Sequence, residues 1–155
     1  IGTTHGLDLA LNKYIPEHKS GSEGVIINIS SLTGVQVFPF TPVYGATKSA
    51  VASLTIALGN KILYDQTKVK VIAVAPGLTT TPILNGLTTQ GLNDYINKVM
   101  ASQLNLLPLQ TVDVVGENLM KVIKEKPSGS VWILNGPGEP NEFHPSIPTY
   151  EVNLK

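Results

Sequence analysis

Residues 25–48 read VIINISSLTGVQVFPFTPVYGATK, and the fold follows from how this stretch changes character along its length. Val25-Ile26-Ile27-Asn28-Ile29 is a short, nearly continuous apolar run, which suits a parallel strand buried on both faces. Thr33 to Val43 reads as a loop, because Pro39 and Pro42 disfavour helix and push the residues before them toward extended backbone. From about Tyr44 to Tyr64 the pattern turns helical, with Ala46, Ala50, Leu54, Ala57, Leu58 and Ile62 among its apolar positions. Val69 to Ala75 is a second β-branched run, closed by Pro76-Gly77. Strand, helix, strand in this order predicts a parallel pair joined by a right-handed crossover, and hence an α/β architecture.

Outward from this unit, the opening IGTTHGLDLALNKYI repeats Leu7, Leu11 and Tyr14 or Ile15 at helical spacing, and Pro16 with EHKSGSEG then forms a loop. Downstream, a threonine-rich loop and a less regular segment run from Gly77 to about Leu107. A helix is expected over Val112–Lys124, opened by Thr111 or Asp113 as cap, followed by a strand at Val131–Leu134 and a proline-rich, irregular tail from Gly136. No internal repeat or interdomain linker interrupts the 155 residues, so they read as one domain or part of one.

Composition narrows the partners. Eleven acidic residues balance eleven basic ones, all lysine, which leaves no basic face for nucleic acid or anionic lipid. The chain contains no cysteine, and His5, His18 and His144 are too scattered for a zinc motif, so no metal site is expected. No apolar run approaches the roughly 20 residues that span a bilayer, nor does a hydrophobic signal stretch open the sequence. A soluble protein of the cytoplasm, acting on a small molecule, is the expectation.

The chemistry centres on three side chains. A strand ending at Asn28-Ile29-Ser30-Ser31 delivers Ser31 to the carboxyl edge of the sheet, and Tyr44 and Lys48, four positions apart on a helix, share one face. A free phenol has a pKa near 10, so Tyr44 needs a nearby positive charge to act as general acid/base, and Lys48 can supply it. Ser31 can hold an oxygen on which charge develops. A Tyr-x-x-x-Lys pair alone is weak, since five tyrosines and eleven lysines produce one by chance in about one chain of three. Tyr64 and Lys68 make just such a second pair, with no Asn-x-Ser-Ser strand end thirteen residues before it; on a continuous helix Tyr64 would face away from Tyr44. Asn28-Ile29-Ser30 also spells a glycosylation acceptor, but a buried strand end offers no access for a glycan.

The combined pattern of Asn28-Ile29-Ser30-Ser31-Leu32-Thr33-Gly34, Tyr44-Gly45-Ala46-Thr47-Lys48 and Ala75-Pro76-Gly77 resembles the short-chain dehydrogenase/reductase family. Within it, the chain looks closest to the insect alcohol dehydrogenase and 15-hydroxyprostaglandin dehydrogenase-like branch, and the resemblance covers about Gly2 to Leu134. It implies a Rossmann-like, doubly wound parallel sheet of which this chain is the carboxyl-terminal portion. The glycine-rich phosphate turn, the Asn-Asn-Ala-Gly segment and the asparagine of the catalytic tetrad would fall upstream of Ile1. The implied activity is NAD(P)-dependent interconversion of a secondary alcohol and a ketone, with NAD as cofactor and NADP also open.

By the same resemblance Ser31 stabilises the reacting oxygen, Tyr44 transfers the proton, and Lys48 both tunes the tyrosine and holds the nicotinamide ribose. Ile29, Pro76, Gly77, Thr79 through its backbone and Thr81 through its hydroxyl would lie along the cofactor with Tyr44 and Lys48. Thr33, Gln36, Val37 and Thr41 would enclose the substrate, although ordinary loop packing accounts for them equally well. Ser30 reads equally as a cofactor neighbour or as a strand-end residue bonded to nearby backbone. A homodimer or homotetramer is implied. These 155 residues alone are expected to be inactive, and the alternative is a non-catalytic family member that binds or stores a ligand.

Overall fold

Val69–Pro76 (β2) is the centre of the molecule, and its alternating side chains are buried on both faces. In the computed structural model, which describes residues 2–146, it pairs in parallel with Gly24–Ile29 (β1) on one side and with Val131–Leu134 (β3) on the other. A two-residue strand, Asn141–Glu142 (β4), adds antiparallel to β3, giving the order β1-β2-β3-β4. That strand lies in the tail expected to be irregular; Phe143 N–H bonding to Val131 O closes it, at 2.8 Å.

Helices cover both faces. Val69 and Val71 pack with Leu7 of Gly2–Leu9 (α1) and with Leu54 and Leu58 of the long helix Pro42–Leu58 (α4), while Ala73 and Ala75 meet Ala52 and Ile56 of the same helix. From the opposite face, Ile72 and Val74 meet Val115, Leu119 and Val122 of Val112–Glu125 (α7). The period of two in β2 thus sends alternate residues to the two helical layers, which is the doubly wound arrangement. Each fully buried Val or Ile contributes about 1.5–3 kcal/mol.

Helix boundaries depart from the sequence reading at four points, each with a local cause. The first helix does not stop before Pro16: it widens into a π turn over Ala10–Tyr14, where Ile15 N–H reaches Ala10 O, and continues as Ile15–His18 (α2). The wider turn spares the proline ring its clash with a carbonyl four residues back. Leu32–Val35 (α3) is a helical turn inside the expected loop, nucleated by Ser31 at its N-cap. Pro42 occupies the first turn of α4, where its missing N–H costs nothing. That helix ends at Gly59 instead of running on to Tyr64. A Cβ on Gly59 would come within 2.6 Å of Val71 O and closer still to Gly129, and Asn60 then caps a new helix, Lys61–Thr67 (α5), by accepting from Ile62 and Leu63 N–H.

Beyond β2, Pro82–Thr89 is a 3₁₀ segment and Asp94–Leu104 (α6) a helix, both within the stretch expected to be less regular. Thr111 caps α7 as expected, its hydroxyl accepting from Val114 N–H. Among the described residues no helix is long and apolar enough to cross a membrane.

Candidate active site

The parallel strands bring three pieces of chain to one edge of the sheet: the Ser30–Gly34 turn after β1, the first turns of α4, and the Gly77–Thr81 loop after β2. At the first of these, Ser31 leaves the strand in extended backbone (φ −163°, ψ 158°) and its Oγ accepts from Thr33 N–H at 3.3 Å and from Thr33 Oγ1 at 3.2 Å. The serine is therefore held by the helix turn it starts.

Four contacts stitch this turn to α4. Ser30 Oγ donates to Lys48 O (2.8 Å), Ser49 Oγ donates to Gly34 O (2.7 Å), and Lys48 Nζ donates to Ile29 O (2.9 Å). Gly34 provides the fourth by being small: a Cβ there would sit 2.6 Å from Ser30 Oγ, 2.7 Å from Lys48 carbonyl carbon and 2.8 Å from Lys48 Cβ. Further back along the same strand, Asn28 Nδ2 donates to Thr55 Oγ1 at 2.8 Å, locking β1 to α4 again. Asn28 is buried, in keeping with the rejection of the glycosylation reading.

On α4, Tyr44 and Lys48 do share a face: the ammonium lies 5.7 Å from the centre of the tyrosine ring, and the ring is half-exposed. Burial pushes the Lys48 pKa below the ordinary lysine value. An ammonium carries three donors, and Ile29 O takes one of them, which leaves capacity for hydroxyl groups of a ligand. Ile29 itself is half-exposed at the strand end.

The third piece begins where β2 ends at Pro76. Gly77 N–H bonds to Leu134 O at 2.9 Å, Thr79 Oγ1 donates to Gly77 O at 3.0 Å, and Thr81 Oγ1 donates to Thr79 O at 3.4 Å. A Cβ on Gly77 would meet the Asn135 side-chain amide, which would have to turn away to admit it. Ile29, Ser31, Tyr44, Lys48, Pro76, Gly77, Thr79 and Thr81 are thus on one edge. Of the flanking loop residues, Val37 is 98% exposed and the Thr41 hydroxyl is buried without a partner among the described residues.

Sequence reasoning missed the supports of this edge. The sequence marks Gly34 only as the end of a family pattern and not as a close contact of α4; Ser49 and Thr55 carry no local signal, because their partners are distant in sequence, and Gln110 precedes a helix cap with nothing to mark it. Two hollows of about 460 and 480 Å³ lie elsewhere. One is lined by Asn118, Lys121 and Glu139, the other by Glu23, Tyr64 and Lys70 at the amino ends of the strands.

Comparison with known proteins bears on the family and the fold. The sequence model of the short chain dehydrogenase family matches residues 3–91, more than half of the chain. Alcohol dehydrogenase 1 of Ceratitis cosyra is 34% identical over 137 residues, which are 86% of this chain and 52% of that protein. The structure described as ElxO with NADP bound superimposes with a TM-score of 0.61 at 27% identity, covering 86% of this chain and 52% of the other. A 3-oxoacyl-[acyl-carrier protein] reductase with bound NAD from Brucella melitensis gives 0.58 at 25% identity, covering 84% and 45%. The chain spans about half the length of the relatives it matches.

Proposed function

This chain belongs to the short-chain dehydrogenase family, and from that premise we propose that it carries the proton-transfer half of an NAD(P)-dependent oxidoreductase that interconverts a secondary alcohol and a ketone. The observation that carries this reading is the Lys48 side chain. Its ammonium is anchored by one hydrogen bond to the strand-end carbonyl of Ile29, with donors to spare, and lies 5.7 Å from the Tyr44 ring.

A nicotinamide dinucleotide, when bound, supplies or accepts the hydride. The donor set fits such a group: Lys48 has capacity for the ribose hydroxyls, while Thr79 and Thr81 offer a backbone N–H and a hydroxyl for its carboxamide end. In alcohol oxidation Tyr44 Oη takes the substrate hydroxyl proton, and in ketone reduction it gives one back. The phenolate that exists between these events meets the positive charge of Lys48. Ser31 Oγ, whose position is fixed by Thr33, donates to the substrate oxygen as its charge changes. The comparison proteins bound to NAD and NADP support a nicotinamide cofactor of either kind.

The test is turnover by the full-length protein with a panel of secondary alcohols plus NAD or NADP, and the matching ketones plus reduced cofactor. Oxidation of at least one alcohol, lowered by about 10²-fold or more in Tyr44→Phe with cofactor binding intact, is the expected result; substantial residual activity in Tyr44→Phe would sink the assignment.

A further inference from the structure

Gln110 lies between the 3₁₀ and α6 region and the Thr111 cap, and it is 5% exposed. Its amide has three partners. Nε2 donates to Leu134 O at 2.8 Å and to Thr79 Oγ1 at 3.3 Å, and Oε1 accepts from Gly136 N–H at 2.8 Å. The amide orientation is unambiguous, because the flipped form would set Oε1 against the Leu134 carbonyl and an NH₂ against the Gly136 N–H. The backbone of Gln110 is engaged as well. Gln110 N–H donates to Leu78 O (3.0 Å) and Gln110 O accepts from Thr80 N–H (2.8 Å), so it forms an isolated parallel bridge opposite Thr79.

In a parallel bridge the bonded groups belong to the residues flanking the bridged position, whose own N–H and C=O then turn to the other side. Gln110 therefore orients the Thr79 N–H away from itself, while its side chain holds the Thr79 hydroxyl. Through Leu134 and Gly136 the same amide fixes the end of β3 and the turn that follows, and Asn118 Nδ2 reinforces that turn by donating to Gly136 O (3.3 Å). A single buried amide with every contact satisfied is a stiff junction: truncating it leaves Gly136 N–H without its partner among the described residues and takes one of two from Leu134 O and from the Thr79 hydroxyl.

We propose that Gln110 is the positioning residue of the nicotinamide-binding loop: it determines which way the Thr79 amide faces and couples that loop to the chain after β3. This rests on the reading of Thr79 given under Proposed function, and Gln110 itself touches neither cofactor nor substrate in it.

The experiment compares two ligands on the full-length protein: NADH, which includes the nicotinamide, and ADP-ribose, which shares everything else and lacks it. Gln110→Ala is expected to weaken NADH about tenfold while ADP-ribose changes by less than about twofold. Gln110→Glu keeps the acceptor for Gly136 but sets a buried carboxylate oxygen against the Leu134 carbonyl, so it should weaken NADH at least as much as the alanine variant. Unchanged NADH affinity in both variants, or equal losses for the two ligands, overturns the proposal, since a merely structural residue would not discriminate between them. Should neither variant fold, Thr79→Val removes only the hydroxyl that Gln110 holds: weaker NADH with unaltered ADP-ribose supports the role, and unaltered NADH removes it. If the unsubstituted protein binds neither NADH nor NADPH, the functional reading itself falls and this proposal with it; if it binds NADPH alone, the same comparison is made between NADPH and the 2′-phosphate of ADP-ribose.

Discussion

Two Tyr-x-x-x-Lys pairs with identical spacing stand in this chain, and the structure treats them in opposite ways. Tyr44 and Lys48 are both on α4 at the carboxyl edge, where the tyrosine is half-exposed and the ammonium's protein partner is the Ile29 carbonyl. Tyr64 and Lys68 are at the far end of the sheet. The Tyr64 hydroxyl is spent on Glu23 Oε1 (2.5 Å), and Lys68 has left the helix altogether, sitting in left-handed backbone (φ 53°) with its ammonium 3.5 Å from Asp65. Ring-to-ammonium distances are nearly the same, 5.7 and 5.3 Å, so proximity does not separate the pairs. What separates them is unspent hydrogen-bonding capacity at a strand's carboxyl end.

The largest effect that could break this contrast is on turnover. Tyr44→Phe in the full-length protein should lower kcat by about 10²–10⁴-fold, the range that a positioned acid/base contributes, whereas Tyr64→Phe should leave kcat within about twofold. Steady-state rates of the two variants side by side decide it, and equal losses would erase the distinction. A smaller separation is expected for the lysines. Lys48→Met should cost roughly 10–10²-fold in kcat/KM through the missing charge beside Tyr44, and Lys68→Met should cost nothing measurable in rate. A rising cofactor KM in Lys48→Met alone would sharpen the assignment further.

Much of this was legible in the sequence, and the reasons differ by residue. The strands at Val25–Ile29, Val69–Ala75 and Val131–Leu134 are β-branched runs with clear ends, and the Thr111 cap announces α7, so the α/β layering could be read directly. Ser31, Tyr44 and Lys48 could be read because their order and spacing recur in a known pattern, and the sheet topology puts them on one edge. The break at Gly59–Asn60 could not, because it depends on how closely α4 approaches Val71 O and Gly129, contacts that helical periodicity does not encode. Gln110 was invisible for the same reason: its partners Thr79, Leu134 and Gly136 are 24 to 31 residues away. The opposite-face argument about Tyr64 also lost its basis when the helix proved to be two, and Glu23 replaced it as the reason Tyr64 is not a second site.

Gly34 tests whether the carboxyl edge depends on that kind of close approach. Its missing Cβ lets α3 lie against the Lys48 backbone, so Gly34→Ala should push the Ser31 turn off α4. A destabilisation of about 1–3 kcal/mol, the usual cost of overpacking, is expected together with a loss of rate smaller than in Lys48→Met. Thermal denaturation and kcat measured on one preparation would show both; an unaltered melting temperature would mean that the α3–α4 contact yields freely.

The smallest effect belongs to the other edge and has a sign that pH reveals. The hydrogen bond from Tyr64, and then the charge of Lys70 at 3.5 Å, hold the Glu23 carboxyl below the ordinary value of 4.5. A depressed carboxylate contributes stability that is fully present above its unfolded pKa and is lost as the pH falls through the lowered folded value. Glu23 is 36% exposed, so solvent screening keeps the contribution to about 0.5 kcal/mol or less. Glu23→Gln should therefore melt slightly below the unsubstituted protein at neutral pH, and the gap should close on acidification from about pH 4.5 downward, with kcat unaffected throughout. The reverse pattern, a gap that widens in acid or a rate that falls, would mean that the saturated edge does more than hold α5 against the sheet, and the contrast between the two tyrosine–lysine pairs would have to be redrawn.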